Sequence, residues 1–282
     1  MEEQGEQAEH LSSLAAFLKE WENREESMKI LTSGSTGERK AIRLSKEGMR
    51  ASARMTLSHY GIPDGSRALL CLSSEYIAGK MMVVRAMEGN WTLKALRPSR
   101  DPVSEMGAED RFAFAAMVPL QVQEALKDQV KRRIIEQIDQ LIIGGAPVDS
   151  QLEKRIRTIG TTCYATYGMT ETSTHIADRP LNGKGASDRY FPMEGVEVGQ
   201  DARGCLSVRA SHIVSGELRS NDLVELDDEG AFRVRGRYDR LINSGAVKLL
   251  PEELESKLEP AMDRRFFIDK EPDEELGERV LL

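Results

Sequence analysis

Residues 28–40 read Met28-Lys-Ile-Leu-Thr-Ser-Gly-Ser-Thr-Gly-Glu-Arg-Lys40, a short apolar run that empties into a loop of hydroxyls and glycines and closes on a basic residue. Met28 to Leu31 suit a strand feeding the loop. Gly34 and Gly37 let the backbone take turn geometries that aim N–H groups at oxygens, Thr32, Ser33, Ser35 and Thr36 add hydroxyl donors, and Lys40 adds a mobile charge. A loop of this make-up suits a nucleotide polyphosphate. It is not the Walker loop, which needs Gly immediately before Lys and Ser or Thr immediately after it, because Arg39 and Ala41 stand there. On its own a cluster of Gly, Ser and Thr also reads as a flexible linker.

The chain has 282 residues, enough for a sizeable core in one large or two medium domains. Hydrophobic residues make up 40% and charged residues 30%, the balance of a soluble globular protein, and the net charge of -8 argues against a nucleic-acid partner. Cys71, Cys163 and Cys205 lie in apolar, strand-like runs with no metal-like spacing, so they read as buried reduced thiols. No apolar run reaches membrane-spanning length and the N-terminus is acidic, so the expectation is a cytoplasmic enzyme with no membrane partner. Four histidines form no metal cluster by spacing.

Outward from the loop, Leu11, Leu14, Phe17, Leu18 and Trp21 recur at helical spacing and predict an opening helix with one apolar face. Ser45 is placed to cap a helix running to about His59, and Pro63-Asp-Gly65 marks a turn before the strand-like Ala68 to Leu72. A helix is expected over Tyr76 to Met87. Apolar runs at Phe112 to Val118, Leu141 to Ile143 and Thr161 to Ala165 alternate with helical stretches at Val122 to Lys127 and Leu152 to Ile159, which predicts an α/β sheet with helices on its faces. The basic run Lys131-Arg132-Arg133 reads as a solvated helix face. From about Tyr190 the texture changes to short strands broken by Gly and Asp turns, the mark of a smaller β-rich subdomain.

Four further segments bear on the loop. Gly144-Gly145-Ala146-Pro147 follows an apolar strand, where backbone must come close to a flat ligand. Tyr164-Ala-Thr-Tyr-Gly-Met-Thr-Glu171 puts an aromatic ring, a hydroxyl and a carboxylate in one strand-to-loop run. Asn221-Asp222 offers a carboxylate to a sugar diol. Gly236-Arg-Tyr-Asp239, Ile242-Asn-Ser-Gly-Ala-Val-Lys248 and Pro251-Glu-Glu-Leu-Glu255 have the form of a strand, a tight turn and a capped helix. Taken one at a time, Tyr167 also reads as a core aromatic, Glu171 as a helix N-terminal acid, and Asp222 and Asp239 as turn formers.

The ordered set, from about Thr32 to Glu255, resembles the adenylate-forming superfamily of acyl-CoA synthetases, luciferases and peptide-synthetase adenylation domains. The resemblance implies an α/β fold: a large N-terminal domain of mixed sheets flanked by helices over residues 1–238, its β-rich subdomain at about 190–238. Residues 239–282 would be a hinge and the start of a small C-terminal α+β domain. It implies that Thr32 to Gly37 with Lys40 hold the pyrophosphate end of ATP, that Gly144, Gly145 and Ala146 with Tyr167 and Gly168 hold adenine, and that Thr170 meets the α-phosphate region. Glu171 would hold Mg²⁺, Asp222 and Arg237 the ribose, and Asp239 the hinge, with Lys248 in the motif after it. The implied reaction joins a small-molecule carboxylate to coenzyme A through an acyl-adenylate, and a homodimer is compatible with it.

Within the superfamily, Tyr76 to Arg85, Phe114 to Leu120 and Thr172 to Ala177 look like the short o-succinylbenzoate-CoA ligases of menaquinone biosynthesis. Such a substrate needs an apolar wall for its ring and a polar anchor for its second carboxylate. Lys80 or Arg85 is the expected anchor, with Ser173, Thr174 or His175 donating hydrogen bonds; a solvated helix face is the other reading of Lys80 and Arg85. Another aryl or fatty acid as substrate, or a module that binds nucleotide without catalysis, is compatible with the same motifs. Three departures from the family pattern stand out. Arg39 replaces the usual Pro before Lys40, Ala246 replaces a Gly whose conformation would strain an alanine if φ is positive there, and the family's adenylation lysine is expected beyond Leu282.

Overall fold

The computed structural model describes residues 2–31, 40–262, 264 and 266–282. They form two compact units, Met1–Val196 with Ala210–Ser215, and Glu197–Arg209 with Gly216–Leu282. The division falls at residue 197, so the β-rich segment groups with the residues after it, whereas the sequence reading draws its boundary at Asp239.

The first unit opens with helix α1 (Glu2–Glu22), whose Phe17 and Trp21 are buried, and the hairpin arms β1 (Ser27–Leu31) and β2 (Ala41–Ser45), paired antiparallel. Helix α2 (Lys46–Tyr60) starts where Ser45 accepts from the Gly48 N–H and stops at Gly61, which takes φ +60 and ends the helix in the left-handed conformation glycine tolerates. Then come β3 (Arg67–Leu70), α3 (Ile77–Glu88), β4 (Thr92–Ala95), β5 (Phe112–Met117), α4 (Pro119–Ala125), α5 (Gln129–Ile135), β6 (Ile138–Ile143), α6 (Ser150–Ile156), β7 (Thr162–Gly168), β8 (His175–Pro180) and β9 (Phe191–Pro192).

Strands β4 to β9 with β3 make one sheet in the order β4-β3-β5-β6-β7-β8-β9, parallel as far as β7 and antiparallel at β8 and β9. Its central strands are apolar on both sides because helices cover both faces. Leu69, Ala115, Met117, Leu141, Ile143, Cys163 and Ala165 point one way, onto Val122, Ala125, Ile135, Leu152 and Ile156 of α4, α5 and α6. Phe114 and Tyr164 point the other way and meet Tyr60 of α2, with ring centroids 5.5 and 5.0 Å apart. Burial of each large apolar side chain contributes roughly 1.5–3 kcal/mol, so this two-sided core holds the sheet edges in register. The three cysteines are buried and unpaired. No helix among the described residues is long and apolar enough to cross a membrane.

The second unit holds two four-stranded antiparallel sheets. Strands β10 (Glu197–Gln200), β11 (Cys205–Arg209), β12 (Glu217–Leu226) and β13 (Phe232–Arg237) pair in sequence order. Strands β14 (Ile242–Ser244) and β15 (Val247–Leu249), helix α7 (Pro251–Leu258), and strands β16 (Asp269–Asp273) and β17 (Gly277–Leu281) follow, with sheet order β15-β14-β17-β16. The β14–β15 turn is Gly245-Ala246, and only Gly245 takes a positive φ, +61. Ala246 is therefore unstrained, because this two-residue turn puts its demand for glycine at the first position.

Candidate active site

The carboxyl ends of β5, β6 and β7 lie side by side, where a parallel sheet leaves its loops free to meet a ligand. Two glycines there are closely approached, Gly144 by a side chain and Gly168 by backbone. A Cβ on Gly144 would lie 2.6 Å from Thr166 Oγ1, while its own N–H donates to the Met117 carbonyl at 3.1 Å. A Cβ on Gly168 would lie 2.1 Å from the Thr174 carbonyl oxygen and 2.6 Å from His175 Cα. Gly145 takes φ +83 and turns the chain away from β6. Tyr167, half-buried, meets the ring of Tyr190 at 5.9 Å between centroids.

After Gly168 the chain makes a 3₁₀ turn, Thr170–Thr172, that carries Thr170 and Glu171 half-exposed. The Thr172 hydroxyl accepts from the Met169 N–H and lies within reach of two carbonyls, Thr174 at 2.6 Å and Met169 at 2.9 Å, either of which can take its one hydrogen, so it tightens the loop from inside. At Ser173 the backbone reaches φ 64 and ψ -39, and the Thr174 N–H donates to the Thr172 carbonyl at 2.8 Å. That is a γ-turn of the rare, strained hand, held at the point where β7 hands over to β8. The strain fixes the direction in which Thr174 and His175 leave the turn.

His175 and Arg85 meet inside the unit. Arg85 is 1% exposed, which overturns the solvated-face reading of this position: α3 turns it inward, towards α2 and β8. Its Nη2 donates to Thr174 Oγ1 at 2.8 Å and to His175 Nδ1 at 3.4 Å, and its Nε to Thr56 Oγ1 at 3.2 Å. Among the described residues Nη1 has only the Met82 Sδ, at 3.7 Å. Among the described residues no carboxylate pairs with it. Burial pulls its pKa down to about 10, which still leaves it charged at neutral pH. Burial first, then the fields of Arg85 and His59, hold the His175 imidazole well below the ordinary histidine range. The nearby carboxylate, Asp178, is 3% exposed and accepts instead from His59 Nε2 at 2.8 Å.

Lys80 goes elsewhere. Its ammonium sits 4.8 Å from the Phe17 ring centroid of α1, and burial pulls its pKa down. Lys131 is likewise tied down, to Asp101 at 2.5 Å, so the basic run of α5 is not simply solvated. Thr32 to Gly37 lie outside the described residues, and Lys40, just past them, is exposed at the mouth of β2.

In the second unit, Asp222 and Arg237 face each other across β12 and β13, with Arg237 Nη1 3.5 Å from Asp222 Oδ1. Arg237 also grips Asp239 with both arms, Nε to Oδ1 at 2.9 Å and Nη2 to Oδ2 at 2.7 Å. This contact holds the Asp239 carboxyl below the usual carboxylate range. Lys248 is exposed on β15, opposite Asn243.

The structure thus brings together Gly144, Gly145, Thr170, Glu171, Ser173 and Thr174 at the strand ends, with Arg85 and His175 behind Thr174. It adds Thr56, Ser52 and Asp178, which sequence reading missed. Their signal was present: Ser52, Thr56 and Tyr60 fall on one stripe of α2 with Met49 and Ala53, polar groups on the face that packs inward.

Residues 4–207 match the family described as AMP-binding enzyme. The 2-succinylbenzoate–CoA ligase of Escherichia coli strain K12 is 29% identical over 268 residues, which is 88% of this chain and 56% of that protein. A crystal structure of an acyl-CoA synthetase (AMP-forming)/AMP-acid ligase II-like protein from Dyadobacter fermentans superimposes with a TM-score of 0.76 at 35% identity, covering 96% of this chain and 79% of that one. The o-succinylbenzoate coenzyme A synthetase from Bacillus subtilis, solved with ATP and magnesium ion, shares the fold with a TM-score of 0.76 at 22% identity, over 89% of this chain and 58% of that one. The chain spans little more than half of the E. coli and B. subtilis proteins. The strand-end site therefore sits in a fold whose sequence has kept the family's pattern over most of its length, and the chain belongs to the AMP-binding enzymes.

Proposed function

We propose that this chain activates a carboxylic acid as its acyl-adenylate and passes the acyl group to coenzyme A, and that the acid carries a second carboxylate. The observation that carries the second part is Arg85: a buried cation whose described partners are neutral, reached from the site through the Thr174 hydroxyl. A buried charge without a counter-ion is costly, and an anionic ligand at Thr174 offsets that cost. Because Thr174 Oγ1 accepts from Arg85, its own hydrogen is free to donate outward, and the guanidinium field strengthens that bond. o-Succinylbenzoate fits, with its ring carboxylate at Thr174 and its aliphatic carboxylate at the strand ends. The likeness to ligases of that acid supports the choice, and the product would be o-succinylbenzoyl-CoA of menaquinone biosynthesis.

In the first half-reaction a substrate carboxylate oxygen attacks the α-phosphorus of ATP, the bond to pyrophosphate breaks, and a mixed anhydride forms. In the second the coenzyme A thiol attacks the acyl carbon and AMP leaves. Thr32 to Gly37 and Lys40 hold the β- and γ-phosphates, Gly144 to Ala146 with Tyr167 and Gly168 hold adenine, and Thr170 donates to the α-phosphate, where charge develops. Glu171 fits Mg²⁺, an ion that takes one or two protein carboxylates and completes its shell with phosphate and water; bound there it would neutralise phosphate charge. Asp222 and Arg237 bind the ribose hydroxyls, and Asp239 is the hinge. Arg237 grips Asp239 as found, so a turn about residue 239 breaks that pair. The buried free cysteines suit a reducing compartment, and we place the activity in the cytoplasm.

The test is ATP–pyrophosphate exchange by the full-length protein with o-succinylbenzoate against fatty and monocarboxylic aryl acids. Exchange confined to o-succinylbenzoate supports the reading. Exchange with a fatty acid keeps the reaction and discards the second carboxylate, and ATP binding with no exchange leaves a nucleotide-binding module.

A further inference from the structure

Thr56 of α2 touches three polar groups in a place where a helix facing the core should carry an alkyl chain. Its hydroxyl donates to the Ser52 carbonyl at 3.0 Å, one turn back, and that uses its only hydrogen. Its lone pairs are then all it has for the remaining contacts. One accepts from Arg85 Nε at 3.2 Å, and the other lies 3.3 Å from His175 Nε2. For that second contact to be a hydrogen bond, Nε2 must carry the proton. On the far side of the ring, Nδ1 faces Arg85 Nη2 at 3.4 Å, a group that can only donate, so Nδ1 must be bare. A doubly protonated ring would set N–H against N–H on that side.

We propose that Thr56 is a positioning residue that fixes His175 as the neutral Nε2–H tautomer and thereby clamps Arg85 behind Thr174. The clamp has three points: Nε on Thr56, and Nη2 shared by His175 and Thr174. A carboxylate at position 56 would hold the guanidinium as firmly, and would also cancel its charge. A hydroxyl and a neutral imidazole orient it and leave the field intact for an anion beyond Thr174. Asp178, the carboxylate placed to interfere, is occupied by His59. Tyr60 of α2 packs on the same ring, 6.1 Å between centroids. The functional arm of this inference rests on the reading that Thr174 meets a substrate carboxylate; the tautomer does not.

The experiment is ¹⁵N spectroscopy of histidine-labelled full-length protein, with the His175 ring assigned by its loss in H175N, beside exchange kinetics of T56V and T56S. Wild type should show the Nε2–H tautomer at pH 6 and at pH 7.5. T56V should lose the fixed tautomer and raise KM for o-succinylbenzoate about tenfold, the usual scale for one hydrogen bond to a charged group, with kcat little changed. T56S should restore both. An Nδ1–H or doubly protonated His175 in wild type overturns the proposal, and so does a T56V protein with wild-type spectrum and KM. If T56V does not fold, the wild-type spectrum and T56S still decide. An R85K protein with unchanged KM, beside the expected wild-type tautomer, sinks the substrate reading and leaves the tautomer assignment supported.

Discussion

Replacing Gly168 with alanine tests how tightly the β7–β8 hand-over is built. Gly168 has no positive φ, so alanine meets no backbone strain of its own and the cost is one of space. The new Cβ would lie 2.1 Å from the Thr174 carbonyl oxygen and 2.6 Å from both Thr174 C and His175 Cα, all backbone. Carbon needs about 3.5 Å from such neighbours, so β8 must move away by roughly 1 Å. Arg85 Nη2 sits 2.8 Å from Thr174 Oγ1, and a shift of that size breaks the bond. Overpacking of about 3 kcal/mol is expected, with a large rise in KM for a dicarboxylic substrate. Gly144→Ala is the graded control. Its Cβ meets only Thr166 Oγ1, at 2.6 Å, and that side chain rotates away at the loss of its bond to the Ile143 carbonyl, about 1 kcal/mol. Gly160→Ala enters open space and should cost nothing measurable. Urea unfolding of the three variants, with the slope checked against wild type, gives the ranking. A Gly168→Ala protein within about 0.5 kcal/mol of wild type, or level with the roughly 1 kcal/mol of Gly144→Ala, would mean that the β7–β8 hand-over yields freely and is not tightly packed at Gly168.

Ser173→Gly should relieve the γ-turn, and about 1–3 kcal/mol of strain less about 0.5–1 for glycine's extra chain entropy leaves a gain of about 1 kcal/mol in stability. The same change loosens Thr174, so KM should rise while the melting temperature rises too; a variant that is less stable than wild type contradicts the strain assignment. Stability should also fall as pH drops below about 6.5, the unfolded histidine value, because His175 and His10 are both held below it in the fold and the unfolded chain takes up the protons. Each contributes a slope of up to about 1.4 kcal/mol per pH unit while its folded form stays neutral, and H175N should flatten the curve in urea melts at pH 5.5 and 7.5; equal slopes would contradict it.

Much of this layout was legible in the chain. The cap at Ser45, the strand at Phe112–Met117 and the glycines after Ile143 are local signals, and the structure honours them because propensity, turn chemistry and the sheet agree there. Arg85 was legible as one of two candidate anchors, but its burial was not. On α3 it looks like any basic residue near a helix end, and its burial follows from α2 and β8 packing over it, which no window of sequence encodes. Thr56 was hidden for the same reason: its partners at positions 85 and 175 are brought to it by tertiary packing. Lys80 and Arg85 differ by five positions, which turns one towards α1 and the other to the interior, so two equivalent candidates in sequence part company in space.

The most direct test of the central claim compares ATP–pyrophosphate exchange of the full-length protein with o-succinylbenzoate and with the same acid esterified at the ring carboxylate. One hydrogen bond to a charged group is worth about 1.5–3 kcal/mol, so kcat/KM should fall by about 10- to 150-fold for the ester, while ATP affinity is unchanged. Equal exchange with acid and ester would contradict the account, because it would mean that Thr174 and the buried Arg85 behind it do not meet a second carboxylate.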